Sequence, residues 1–174
     1  MKIYFVRHGK TQNDRVIGRS HAPLIPEGIE ETEKTLLELS NDYEEMYSSD
    51  LLKCKQTSEI LNKKLNLQIE YDPRLRERYF GSLAGKRFSE IDSTGQMEEK
   101  DKNQQYDYRP YGGESVEDVK KRVFAFIKDL QNNSKDKKIL VVTHAGIIRL
   151  LYYVSDNKIG QEIPNSSVYE FEFP

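Results

Sequence analysis

The chain has a single cysteine, Cys54, in 174 residues, so no internal disulfide can form and a reducing compartment is expected. It has no apolar run approaching bilayer thickness. The amino terminus opens directly on a strand-like segment, without the charged region and longer apolar stretch of a signal peptide. A soluble, cytoplasmic protein is therefore expected. An excess of one charge is missing too: 27 Lys and Arg stand against 29 Asp and Glu, a net charge of −2. Without a basic footprint, a nucleic-acid partner is not expected. The densest basic cluster, Lys135 to Lys138, is broken by Asp136 and reads as a solvated turn. Repeats and low-complexity linkers are absent, and the length suits one domain over residues 1–174.

Histidine is scarce as well, with three in the chain, and two of them occupy equivalent places. Ile3-Tyr4-Phe5-Val6 reads as a buried strand and stops at Arg7-His8-Gly9. Ile139-Leu140-Val141-Val142-Thr143 runs in the same way into His144-Ala145-Gly146. The carboxyl end of a buried strand is where open α/β sheets bind ligands, because side chains and helix N-termini converge there.

Strands and helices alternate around these two points. A helix is expected from Glu27-Gly28 to about Leu39, a short strand at Met46 to Ser49, and a helix capped by Asp50 that carries Leu51, Cys54, Ile60, Leu61 and Leu65. Leu67 to Tyr71 reads as a third strand. From 72 to about 113 the apolar periodicity loosens into a loop-rich, lid-like insert, a kind of stretch that is more often functional than idle. Ser115 opens a long amphipathic helix ending near Asn132-Asn133, a second helix begins near Ala145, and Val168 to Phe173 forms a final edge strand. Such alternation argues for a mainly parallel sheet covered by helices on both faces. Cys54, although flanked by Lys53 and Lys55, reads as a small buried filler.

Five motifs occur in order: Arg7-His8-Gly9 with Thr11; Ser48-Ser49-Asp50-Leu51 with Gln56-Thr57; Leu75-Arg76-Glu77 with Phe80-Gly81; Gly112-Gly113-Glu114-Ser115; and Val142-Thr143-His144. Together they resemble the histidine phosphatase superfamily, the phosphoglycerate-mutase-like fold, over nearly the whole chain. The resemblance implies a three-layer α/β/α sandwich and, as catalytic residues, His8 as a nucleophile forming a phosphohistidine, Glu77 as proton donor and His144. It implies phosphate binding by Arg7, Lys53, Asn13 and the backbone at Ala145. It implies a small phosphorylated metabolite as partner, and neither cofactor nor metal. The residue types suit the chemistry, because phosphoryl transfer needs rigid positive donors around phosphorus, an in-line nucleophile and an acid for the leaving oxygen. Aromatic neighbours Tyr79 and Phe80 are expected to raise the Glu77 pKa toward that of an acid.

The departures matter as much. Lys53 stands where the family usually has a second arginine, keeping the charge but losing the bidentate fork. Asp14 occupies the usual asparagine position unless the loop brings Asn13 there. Lys10 replaces the usual Glu or Gln and is expected to add positive charge. Phe80 and Phe88 stand where mutases carry a tyrosine and a lysine for the substrate carboxylate. The expected activity is thus hydrolysis of a small phosphate monoester, with similarity to α-ribazole-phosphate and broad-specificity sugar-phosphate phosphatases. A phosphoglycerate-mutase-type transferase and a catalytically weakened phospho-ligand-binding protein are the alternatives. A metal protein is disfavoured because no His-x-x-x-His or similar ligand spacing occurs.

Overall fold

The alternation of apolar side chains along two strands decides which helices cover which face of the sheet. In the computed structural model, which describes residues 1–12, 18 and 21–174, strand β1 (Lys2–Arg7) lies parallel to β4 (Ile139–Thr143), with Phe5 opposite Val141 and Arg7 opposite Thr143. Ile3, Phe5, Ile139 and Val141 point to one face and Val6, Leu140 and Val142 to the other, as the two-residue period of a strand requires. The first face is covered by α5 (Val116–Asn133) and α6 (Ala145–Asp156). The second is covered by α1 (Pro26–Glu38) and α2 (Leu52–Leu65). With β2 (Glu45–Ser48), β3 (Ile69–Tyr71) and β5 (Val168–Glu172), the sheet order is β3-β2-β4-β1-β5. All pairings are parallel except that of β5, which runs antiparallel to β1 at one edge. The three-layer α/β/α arrangement expected from the sequence is the one observed.

Two local expectations are corrected. Asp50 does not cap α2: Leu51 is the cap residue, without a side-chain capping bond, and the Asp50 carboxylate is taken by a bidentate pair with Arg76. The third strand starts at Ile69, not Leu67, because Asn62 exchanges side-chain hydrogen bonds with both Leu67 N and Leu67 O at 2.9 and 2.8 Å after a left-handed turn at Asn66. Ser115, by contrast, caps α5 in a reciprocal box with Asp118. No helix among the described residues is long and apolar enough to cross a membrane.

The insert at 72–113 has its own order. It holds two short helices, α3 (Phe88–Ile91) and α4 (Gln96–Lys102), and 3-10 turns at Pro73–Leu75, Gly81–Leu83 and Arg109–Tyr111. Phe80, Tyr106 and Tyr108 are buried in the core beneath it, with the Phe80 and Tyr108 rings 4.4 Å apart and Tyr106 stacked on Tyr108 at 5.2 Å. Aromatic packing anchors this segment over the carboxyl ends of β1 and β4.

Candidate active site

Adjacent parallel strands end side by side, so their terminal residues meet. His8 and His144 do so with ring centroids 5.2 Å apart, both almost fully buried. The third histidine, His21, is exposed. The main chain of His8 is held from two sides: its N–H donates to Thr143 O at 3.0 Å, and its carbonyl accepts from Asn165 Nδ2 at 3.0 Å. Its Nδ1 lies 2.8 Å from Gly9 O. A carbonyl only accepts, so Nδ1 carries the proton and Nε2 keeps its lone pair. Gly9 is required by close packing, since a Cβ there would fall 2.6 Å from Thr32 Oγ1 and 2.8 Å from Gly28 O.

Burial, reinforced by the charges of Lys53, His144 and Arg7, holds the His8 pKa well below that of a free histidine. Burial likewise pushes His144 down to about 3; Lys53, Arg122 and Arg7 reinforce the shift and Glu77 opposes it. Both imidazoles are therefore neutral at pH 7. His144 caps α6 and its Nε2 meets Ser49 Oγ at 2.9 Å, with Cys54 Sγ at 3.4 Å. Cys54 is the buried filler expected, and burial drives its thiol pKa up.

Lys53 lies in the first turn of α2 and is 6% exposed, with its charge felt by both histidines. The same turn holds the loop after β1, because Gly9 N donates to Thr57 Oγ1 at 2.9 Å and Thr57 Oγ1 donates to Lys53 O at 2.7 Å. Arg7 is oriented by donation from Nη1 to Ile163 O at 2.6 Å. Two residues earlier in that segment, Gln161 O accepts from Arg149 Nε at 2.9 Å, so one stretch of backbone holds two arginines. Ala145, also buried, opens α6, whose first N–H groups have no intrahelical acceptor.

Glu77 reaches this cluster from the insert and is not the raised-pKa acid that its aromatic neighbours led us to expect. Burial favours its neutral form, but the Arg78 guanidinium, His144, and the N–H groups of Arg78 and Gly146 together hold it far below the usual carboxylate range. Glu77 Oε1 accepts from Arg78 N at 2.9 Å and Arg78 Nη1 at 2.8 Å, and Oε2 accepts from Gly146 N at 3.2 Å. Tyr79 is 40% exposed, and Phe80 packs under the Arg78 guanidinium at 5.0 Å instead of drying the Glu77 carboxyl. Behind the loop, Arg122 of α5 donates to the carbonyls of Arg74, Arg76 and Glu77 at 2.5, 2.8 and 3.3 Å. Its guanidinium also pairs with both oxygens of Glu114, which accepts from Tyr79 N at 2.8 Å. The Gly112 to Ser115 motif thus serves to fasten the Glu77 segment.

Of the residues singled out in the sequence, Arg7, His8, Lys53, Glu77, His144 and Ala145 converge. Asn13, and with it the choice between Asn13 and Asp14, lies outside the described residues. Lys10 does not simply add charge to the site, since it forms an ion pair with Glu27 at 2.8 Å. Sequence reasoning missed the roles of Arg78 and Asp101, which pair across 23 positions with no local pattern to join them. Thr57 and Ser49 were visible as motif members without a role. Among the described residues, no three His, Cys, Asp or Glu side chains gather in a way that could hold a metal ion.

The chain matches the histidine phosphatase superfamily (branch 1) over residues 3–173, and it belongs to that family. It is 30% identical to phosphoglycerate mutase-like protein 4 of Arabidopsis thaliana over 98% of this chain and 78% of that protein. It is 25% identical to a broad-specificity phosphatase of Saccharomyces cerevisiae over 87% of this chain and 68% of the other. In structure it is similar to a mycobacterial glucosyl-3-phosphoglycerate phosphatase, with a TM-score of 0.85 at 23% identity, covering 97% of this chain and 91% of that one.

Proposed function

We propose that the protein is a phosphatase that hydrolyses a small phosphate monoester through a phosphohistidine on His8. The observation that carries this reading is the His8 tautomer: the Nδ1–H bond to Gly9 O leaves a neutral, unprotonated Nε2 among Arg7, Lys53 and His144. In the first step Nε2 bonds to phosphorus while the ester P–O bond breaks, and Glu77, ionised in the free site, takes a proton from the monoanionic ester on binding and passes it to the leaving oxygen. Arg7, Lys53 and the N–H at Ala145 bind the equatorial oxygens, and His144, neutral in the free site, donates a hydrogen bond to them. In the second step water attacks phosphorus, the P–N bond breaks, and the Glu77 carboxylate takes the proton that water loses.

Hydrolysis is favoured over mutase-type transfer because Phe80 is fully buried against Tyr108 and Arg78 and offers no donor to a substrate carboxylate. The phosphatase name of the yeast relative agrees with this choice. Rapid quench of the protein with labelled para-nitrophenyl phosphate in EDTA is expected to trap acid-labile, base-stable phosphate on His8, with steady-state turnover unchanged by the chelator. Full activity in His8→Ala, or loss in EDTA with rescue by a divalent ion, contradicts the mechanism.

A further inference from the structure

Among the described residues, the most deeply buried ion pair lies beside the proton donor, and the mechanism above makes no use of it. Arg78 is 6% exposed and Asp101 of α4 is 1% exposed. Arg78 Nε donates to Asp101 Oδ2 at 2.7 Å and Nη2 donates to Oδ1, a fork-to-fork pair; Tyr108 OH adds a third donor to Oδ2 at 2.7 Å. The remaining Arg78 nitrogen, Nη1, reaches Glu77 Oε1 at 2.8 Å. The rings of Phe80 and Tyr106 flank the guanidinium at 5.0 and 5.6 Å.

An ion pair withdrawn this far from water adds little stability over apolar packing of the same volume. What it can add is direction. Asp101 holds two of the three nitrogens of a rigid planar fork, so the third, Nη1, can point only one way, and that way is the Glu77 carboxylate. The opposite wall is equally tight: a Cβ on Gly146 would fall 1.9 Å from Arg78 Nη1 and 2.2 Å from Glu77 Oε1.

We propose that Arg78 is a positioning residue that sets the place of the Glu77 carboxyl against the leaving oxygen, and that Asp101 with Tyr108 aims Arg78. The insert at 72–113 is thereby part of the acid machinery and not merely a cover. The inference rests on the reading of Glu77 as proton donor. Around Glu77 the ionisable neighbours are Arg78, Asp101 and Tyr106 of the insert, His144 and Arg149 of α6, and Arg122 of α5. Cys54 of α2 is a neutral thiol and brings no charge.

The test compares an alkyl phosphate, whose leaving oxygen needs a proton, with para-nitrophenyl phosphate, whose leaving group does not. Glu77→Gln calibrates the acid and is expected to slow the alkyl ester by about 10²–10⁴-fold and the nitrophenyl ester far less. Arg78→Lys and Asp101→Asn are expected to slow the alkyl ester about tenfold or more through misplacement, again sparing the nitrophenyl ester. In Asp101→Asn more of the Arg78 charge falls on Glu77, so the alkaline limb of kcat moves to lower pH. In Arg78→Lys the charge is kept and the limb stays. Tyr108→Phe removes one hydroxyl without altering charge, and the same selective loss at a few-fold is expected should either charge variant fail to fold. Equal slowing of both esters, or none, in all of these variants while Glu77→Gln remains selective overturns the inference. A Glu77→Gln variant without selectivity overturns the acid reading instead.

Discussion

Lys53 shows at the level of one side chain how a conservative replacement changes a phosphate site. It is buried beside both histidines, where an ammonium supplies a point charge and a guanidinium would supply two parallel donors. A charge-assisted hydrogen bond contributes roughly 1.5–3 kcal/mol, so Lys53→Ala is expected to lower kcat/KM by about tenfold or more. Lys53→Arg is expected to raise it. Steady-state kinetics of both variants on one small ester check this, and an alanine variant as fast as the parent would remove Lys53 from the pocket. Glu77 carries a second prediction. Held far below the carboxylate range, it is ionised in the free site across the neutral region, so its proton must arrive with the substrate. A phosphate monoester loses its second proton near pH 6. For an alkyl phosphate, kcat/KM is therefore expected to decline as pH rises above about 6, and a flat profile to pH 8 would show that Glu77 holds its own proton.

Among the elements, α6 does the most with the least. Its first turn presents His144 as the cap, Ala145 next and then Gly146, whose N–H is given to Glu77. Elsewhere in a helix, alanine in place of glycine would add about 1 kcal/mol of stability. Here a Cβ overlaps both Glu77 and Arg78. Gly146→Ala is expected to push Glu77 out of place and lower kcat on an alkyl phosphate by about 100-fold, the scale of a 1 Å misplacement. Far-UV circular dichroism should show the fold unchanged. Activity equal to the parent would mean that the Glu77 loop yields without consequence.

For the whole molecule, burying two neutral imidazoles links stability to pH. Both His8 and His144 have folded-state pKa values below the unfolded value of about 6.5, His144 reaching about 3. Between those limits the unfolded chain binds more protons than the folded one, so their contribution is complete above about pH 6.5 and is lost as pH falls toward 3. Glu77, also depressed, acts in the same direction at lower pH. Each proton taken up on unfolding corresponds to about 1.4 kcal/mol per pH unit. Urea midpoints measured from pH 7.5 to 4 are expected to fall steadily below pH 6.5, and an unchanged midpoint down to pH 5 would mean that the histidines titrate normally in the fold.

The strand order, which sets β1 beside β4 and so brings His8 and His144 together, is decided by the tertiary fold, whereas the mainly parallel sheet and the placing of the two histidines at strand ends follow from local pattern. The Ser115 cap, the α6 start and the edge strand were legible for the same reason: each is specified within a few residues. Asp50 looked like a cap by that logic and proved to belong to Arg76, since a long-range bidentate pair outweighed a local bond. The ionisation of Glu77 could be read locally only in part, because the adjacent Arg78 supplies the charge while the direction of its guanidinium is set by Asp101, 23 positions away. Its sequence neighbours Tyr79 and Phe80 pointed to an acid, whereas the charge that governs it comes from Arg78, aimed by an aspartate on a helix of the insert. Sequence determined which residues could carry out phosphoryl chemistry and where along the chain they sit. Only the tertiary structure decided their protonation and aim, because burial and the Coulomb field depend on distances through space and not along the backbone.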